Sequence, residues 1–269
     1  KGDIRAGKLN EGEVEAAFLG TDEDEERMLH AIVKPTIDEA GLVSRDSEAG
    51  LSLAVPIFCF DSVRQDATAP EGHSLVFVGG SGYEPNRDGL DWLVREVFPL
   101  VTQQVPGAKL TVVGYWPPAL QDQLKCPPTV TFTGVLSDGD LDEVYASARA
   151  AIAPVRFGAG VKSKIAAALA HGVPVVSTTV GLEGLDVSGL VDATQAPFEV
   201  GAIRADDPQD FAAGVCALLT EDAPWRDLSD RGVQFVRRVY CRDRFLNRWE
   251  QVLSHATAQR DKRVAKAST

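Results

Sequence analysis

Apolar residues follow two rhythms along this chain, and from residue 75 onward the two alternate. Short unbroken runs at Ser74–Val78, Lys109–Val113, Thr129–Thr133, Ala150–Ala153 and Val173–Ser177 predict buried strands. Gly79-Gly80, Gly114, Gly134 and Pro154 stop the first four. Between the first two runs, Leu90, Leu93, Val94, Val97, Phe98 and Val101 share one face of a helix. That helix opens near Asn86 and closes before Pro106-Gly107. Asp138–Ser147 reads as a short helix. Val161, Ile165, Ala168, Leu169 and Gly172 form a further helical face. Leu190-Val191 and Val200–Ile203 read as short runs, followed by helical patterns over 207–220, 224–239 and 242–256. Strands alternating with helices predict an α/β fold: a parallel sheet with helices on both faces.

Residues 1–69 break this rhythm. A helical pattern at Glu23–Val33 and one apolar strand, Leu51–Phe60, are its only clear elements. Asp61–Ser74 is polar, contains Pro70 and Gly72, and reads as a linker. The organisation expected is therefore 1–69 outside the main unit, 70–258 as an α/β domain, and 259–269 as a charged tail.

Composition narrows the function classes. The net charge of −12 over 269 residues argues against sequence-independent nucleic-acid binding, which needs a basic surface to release counterions. The acidic run Thr21–Glu26 suits a solvated helix start better than a metal site. Cys59, Cys126, Cys216 and Cys241 are scattered without ligand spacing, which predicts free thiols, a reducing, cytoplasmic setting and no metal centre. Neither a signal peptide nor an apolar stretch long enough for a membrane helix is evident. Because the chain begins with Lys1, it is expected to be a piece of a longer protein.

In an open parallel sheet, ligands collect beyond the carboxyl ends of the strands, so the loops there carry the candidate chemistry. Gly79-Gly-Ser-Gly-Tyr-Glu-Pro-Asn86 follows the first strand; it matches neither a dinucleotide fingerprint nor a Walker A loop. Gly158-Ala-Gly160 precedes a helix whose first turn holds Lys162 and Lys164. Cations there oppose the helix dipole and destabilise the free protein by a few tenths of a kcal/mol each. A bound diphosphate would reverse that sign, whereas plain solvated lysines would not. Glu183, between glycines in the loop Thr179–Gly184, either binds sugar hydroxyls or caps a helix. His171 sits where a helix C-terminal cation belongs. No Ser/His/Asp order, paired carboxylates or metal-ligand spacing suggests a hydrolase.

Residues 74–256 resemble the C-terminal, nucleotide-sugar-binding domain of GT-B glycosyltransferases, specifically the retaining family 4. The stretches that carry the resemblance are LVFVGGSGYEPNRDGLDWLVREVFPLV, KLTVVG, VTFTGVLSD and PVRFGAGVKSKIAAALAHGVPVVSTTVGLEGL. The resemblance implies a Rossmann-like domain, the C-terminal half of a GT-B fold. Residues 1–69 would then be the remnant of an N-terminal acceptor domain plus the interdomain linker. It implies a nucleoside-diphosphate sugar as donor, an unknown acceptor, no metal cofactor, and a role in polysaccharide or glycoconjugate synthesis. Any peripheral membrane contact would belong to the N-terminal domain. Gly80 and Ser81 would lie by the phosphates together with the Gly160 loop, and Val135-Leu136 would meet the base. Arg156 and Lys162 would neutralise the diphosphate, with Lys164 as a second cation and Glu183 near the donor sugar. One departure stands out: the family's ribose-binding glutamate is replaced by Ala167, and its partner position by Ala159. Besides an active transferase domain, this leaves open a degenerate lobe kept for nucleotide binding or protein contact. An epimerase of the same architecture would need acid/base residues that the chain does not show.

Overall fold

A computed structural model describes residues 71–185 and 200–243 without a break, with shorter pieces between 36 and 70 and between 245 and 257. The sequence patterns at Glu23–Val33 and Leu190-Val191, most of Leu51–Phe60, and the tail 259–269 lie outside the described residues. Before the main unit, Thr36–Ile37 pairs antiparallel with Val43–Ser44, and Asp46–Ser47 with Gly50–Leu51.

The main unit is a six-stranded, wholly parallel sheet. Its strands are β1 (Ser74–Val78), β2 (Lys109–Val113), β3 (Val130–Gly134), β4 (Ala150–Ala153), β5 (Val175–Ser177) and β6 (Ala202–Arg204). The spatial order is β6-β5-β4-β1-β2-β3. The chain therefore winds outward from β1 to β3, returns to the other side of β1, and winds outward again. This doubly wound order reverses direction between β1 and β4, and the crevice outside their carboxyl ends is where such sheets bind ligands.

Period-2 alternation divides the core. From β1, Leu75 and Phe77 enter one apolar cluster and Val76 the other; from β4, Ala150 and Ile152 oppose Ala151 and Ala153. The first cluster is covered by α1 (Glu84–Trp92), α2 (Phe98–Gln104) and, beyond them, Phe211, Val215, Leu218 and Trp225. The second is covered by Tyr145, Ile165, Leu169 and Phe235. Further helices are α3 (Pro118–Leu124), α4 (Asp138–Ser147), α5 (Ser163–Ala170), α6 (Thr179–Leu182), α7 (Pro208–Thr220) and α8 (Asp222–Val239). Fully burying one such Phe or Leu is worth roughly 1.5–3 kcal/mol, so both faces contribute heavily to stability.

The structure refines several sequence expectations. The first helix runs as α1, a π turn over Leu93–Val97, and α2. Pro99 has no N–H for the carbonyl four residues back, and the π turn accommodates it by letting the Phe98 N–H reach the Leu93 carbonyl. Helices α3 and α6 were not expected. Pro118 suits the first turn of α3, where its missing N–H has no partner to lose. Residues at and just beyond the start of the stretch read as a linker are hydrogen-bonded to the main unit. The Phe60 N–H reaches the Tyr240 carbonyl at 2.9 Å, and the Arg64 N–H reaches the Ala170 carbonyl at 2.9 Å. Buried Arg149 donates to the carbonyls of Leu218 at 2.8 Å and Pro70 at 3.1 Å, and to Asp222 at 2.9 Å. The four cysteines are free.

Candidate functional site

The crevice at the β1/β4 reversal holds a cleft of about 380 Å³. Val78, Gly79, Tyr83 and Asn86 line it from the β1 side, with Val155, Ala159 and Val161–Lys164 from the β4 side. Strand ends and the loops that leave them set its geometry.

The loop after β1 is fastened to the loop after β2. Ser81, which is buried, donates both its N–H (3.0 Å) and its Oγ–H (3.1 Å) to the Tyr115 carbonyl. Trp116 donates its indole N–H to the Gly79 carbonyl at 2.8 Å. The two loops approach so closely at Gly114 (φ +127°) that a Cβ there would lie 2.7 Å from the Gly79 carbonyl carbon. Gly80 and Ser81 thus adjoin the cleft as a rigid wall, and the donors of Ser81 are already engaged. Only Gly79 of the three lines the cleft itself.

The loop after β4 needs glycine for conformation as well as space. Gly158 has φ +110°, and a Cβ on it would meet the Tyr83 hydroxyl at 2.7 Å, so the β1 and β4 loops touch here. Gly160, φ +84°, turns the chain into α5. Lys162 is the N-cap residue of α5 and gives the helix no side-chain cap. Its own residue surface is only 7% exposed, and its ammonium donates to the Gly158 carbonyl at 3.4 Å. Burial lowers the pKa of this ammonium, and the neighbouring Glu183 carboxylate opposes the shift.

Lys164 lies deeper. Its ammonium donates to Asn86 Oδ1 at 2.6 Å and sits 5.0 Å from the centroid of the buried Phe77 ring. Burial, and secondarily the charge of Lys162, push its pKa down to about 8. Among the described residues neither lysine is paired with a carboxylate within 4 Å.

Arg156 stands apart from the cleft lining. Its guanidinium grips Asp88 of α1 through two bonds of 2.8 and 2.5 Å and lies 5.7 Å over the Trp92 ring. The Asp88 hydrogen bond holds it still more firmly in its charged form. Glu183 is exposed at the end of α6, close enough for its charge to act on Lys162. Val135 is 79% exposed just past β3, and Leu136 is half-buried against the second cluster. Ala167, a turn further along α5, is half-buried against that same cluster and lies outside the residues lining the cleft.

The structure thus brings Lys162, Lys164, Gly160 and Glu183 together around the start of α5, with Gly80 and Ser81 across the crevice. Arg156 is held on α1, and Val135 and Leu136 lie two strands away. Three residues were not singled out from sequence: Asn86, which had served only to mark a helix start, Tyr83, and Asp88. The one available signal was an Asn directly after Pro85 at the mouth of a helix; its partners lie too far off in sequence to be read. Among the described residues there is no group of three or more His, Cys, Asp or Glu side chains able to hold a metal ion. No described helix is long and apolar enough to cross a membrane.

A family profile described as glycosyl transferases group 1 matches residues 72–221, more than half of the chain. The chain belongs to this family, and its fold is the Rossmann-like domain of GT-B glycosyltransferases. An uncharacterized 44.6 kDa protein in the cps region of Klebsiella pneumoniae is 32% identical over 117 residues, 41% of this chain and 30% of that protein. Sucrose-phosphate synthase from Thermosynechococcus elongatus superposes with a TM-score of 0.54 at 20% identity, covering 70% of this chain and 46% of its own. The pneumococcal O-GlcNAc transferase GtfA, in complex with UDP and GlcNAc, superposes with a TM-score of 0.55 at 16% identity, covering 75% and 39%. The chain spans less than half the length of each of these relatives.

Proposed function

We propose that this domain binds the nucleoside diphosphate of an activated sugar in the β1/β4 crevice. It would serve a retaining, family 4-like transfer of the sugar to an acceptor held by another lobe. The observation that carries the reading is the pair of ammonium groups, of buried Lys162 and half-buried Lys164, at a cleft where no carboxylate among the described residues lies within 4 Å of either. Uncompensated buried cations are costly, and an anion is the ligand that offsets them. A diphosphate fits because the uncapped start of α5 adds free N–H donors and a positive dipole end beside the same ammoniums.

In this reading the residues act electrostatically. Lys162 and Lys164 meet the charge that develops on the departing diphosphate, where a preorganised cation helps most. Arg156 joins them by exchanging Asp88 for a phosphate oxygen. The rigid Gly80–Ser81 wall excludes water from one side. Glu183 lies toward the donor sugar, and exposed Val135 with Leu136 offers an apolar seat for the base. The diphosphate's charge would be met by these side chains and backbone donors, with no metal cofactor assigned. Exposed Tyr83, Tyr115, Val135 and Phe157 all follow strand carboxyl ends, which suits a face that a second, acceptor-binding lobe would cover. The free cysteines suit a cytoplasmic setting.

Calorimetric titration of UDP, GDP and ADP into the chain tests the donor half of the reading. Binding in the micromolar to millimolar range is expected for at least one of them. No heat with any at millimolar concentration would overturn it.

A further inference from the structure

At the meeting point of the two loops stands Asn86, a residue 7% exposed, whose every polar group is engaged. Its Oδ1 accepts from the Lys164 ammonium at 2.6 Å, its Nδ2 donates to the Gly80 carbonyl at 3.0 Å, and its N–H donates to the Tyr83 carbonyl at 3.0 Å. A Cβ on Gly79 would lie 2.8 Å from the Asn86 side chain, so the loop after β1 is moulded around this amide. The geometry points to Asn86 as a positioning residue for the donor's diphosphate: a neutral amide that couples the β1 loop to Lys164 and aims that ammonium into the cleft with its charge intact. This rests on the diphosphate-binding reading above.

The chemistry of the amide explains the residue type. An ammonium has three donors; one directed at Asn86 leaves the others for a ligand. On its other side the Lys164 ammonium lies over the face of Phe77, so both of these partners that orient it are neutral. An aspartate at 86 would have the same shape but would pair with the ammonium and cancel the charge that a phosphate needs. It would also lose the donor to Gly80 and set two oxygens against each other. An alanine would free Lys164 to swing and leave the Gly80 carbonyl without this partner. Among the described residues, the other titratable groups lining the same cavities as Lys164 are Lys162 on the approach to α5, Tyr83 across the cleft, and Tyr145 from α4. Burial keeps the Tyr145 phenol neutral well past its ordinary range, and Glu183 acts on Lys162.

The test compares the wild-type chain with Asn86→Asp, Asn86→Ala and Lys164→Met. Inorganic pyrophosphate and UDP are titrated at pH 8 in buffers of different ionisation enthalpy, so that affinity and proton exchange are both read. Wild type should take up about half a proton per bound UDP, whose phosphates carry no titrating proton at pH 8, because Lys164 is half-protonated when free and fully protonated beside the ligand. Asn86→Asp should lose 10-fold or more in affinity and show no uptake, since the new carboxylate already keeps the Lys164 ammonium fully protonated at pH 8. Asn86→Ala should lose affinity, and that loss should vanish when it is made in the Lys164→Met background. Equal affinity losses in both backgrounds, or unchanged proton uptake in Asn86→Asp, would assign Asn86 a merely structural role and overturn the inference. If the aspartate variant does not fold, the alanine cycle decides alone; if alanine fails too, Asn86→Ser replaces it in the same cycle. Wild type that binds pyrophosphate and UDP while every Asn86 variant binds as tightly would sink this inference and leave the diphosphate reading standing. Wild type that binds neither ligand overturns both.

Discussion

Removing the Lys164 ammonium should make the protein more stable at neutral pH and less able to bind nucleotide. In the folded chain this group is pushed down to about 8, whereas an unfolded lysine titrates near 10.4. The gap corresponds to ~3 kcal/mol of unfavourable desolvation below pH 8. Lys164→Met removes that penalty but strips Asn86 Oδ1 of its partner, which costs ~1–2 kcal/mol. The variant should therefore be more stable than wild type by ~1–2 kcal/mol at pH 7.

The sign reverses at high pH. Between pH 8 and about 10.4 the folded wild type has released the proton while the unfolded chain still binds it, so wild-type stability rises with pH across that window. The methionine variant has no such rise. Their stabilities should cross near pH 9, with wild type ahead by ~1–2 kcal/mol at pH 10 because a neutral amine still donates to Asn86. Buried Tyr145 destabilises both proteins above pH 10, since its folded phenol resists deprotonation, and it drops out of the difference. Urea denaturation of both proteins at half-unit pH steps measures the difference directly. A variant less stable than wild type by the same amount at pH 7 and pH 10 would refute the claim that the ammonium is held at an electrostatic disadvantage. Nucleotide affinity of the same variant should fall 10-fold or more.

Three further outcomes are expected. Lys162→Ala should weaken UDP or pyrophosphate binding by 10- to 100-fold, the range of a lost charge-assisted hydrogen bond, with little change in melting temperature; calorimetry and thermal melts check both. Asp88→Asn should tighten nucleotide binding severalfold and Arg156→Ala should weaken it, because Asp88 competes with the phosphates for that guanidinium; equal effects of the two substitutions would mean that Arg156 never leaves α1. Ala167→Glu should strengthen ribonucleotide binding by ~10-fold without changing pyrophosphate affinity, since side chains on a helix lean toward its N-terminus and so toward the cleft; unchanged affinity in a folded variant would place the ribose elsewhere.

What could be read in advance was what local pattern controls. The strands β1 to β4 emerge within a residue or so of their apolar runs because a parallel sheet buried on both faces needs continuous apolar sequence, and glycine or proline ends each run. The start of α5 stood out because glycines and lysines at a helix mouth conflict with helix electrostatics. Helix α3 was hidden because Pro117-Pro118 reads as a break, although Pro118 stands where helices accept it. The π turn was hidden because the apolar periodicity runs through Leu93–Val97 unaltered. The partners of Phe60, Arg64 and Pro70 are Tyr240, Ala170 and Arg149, far along the chain and beyond the reach of local pattern. The same distance hid the site's wiring: Lys164 lies 78 residues from Asn86, and Arg156 lies 68 from Asp88.

These long-range partners also show how the free protein tolerates its site. Arg156 rests on Asp88, so one cation is neutralised reversibly at a half-exposed surface, where exchange for a phosphate oxygen changes little in solvation. Lys164 is held by an amide and a ring, with no carboxylate paired to it among the described residues, so its charge stays available and the folded state bears the desolvation. Lys162 falls between them, with a backbone carbonyl and the field of Glu183. The three cations therefore differ in how much free energy a diphosphate would recover on binding, and that difference follows burial. It is largest at Lys164, which is why that residue, though placed second to Lys162 by resemblance, is where stability and binding should be most strongly opposed.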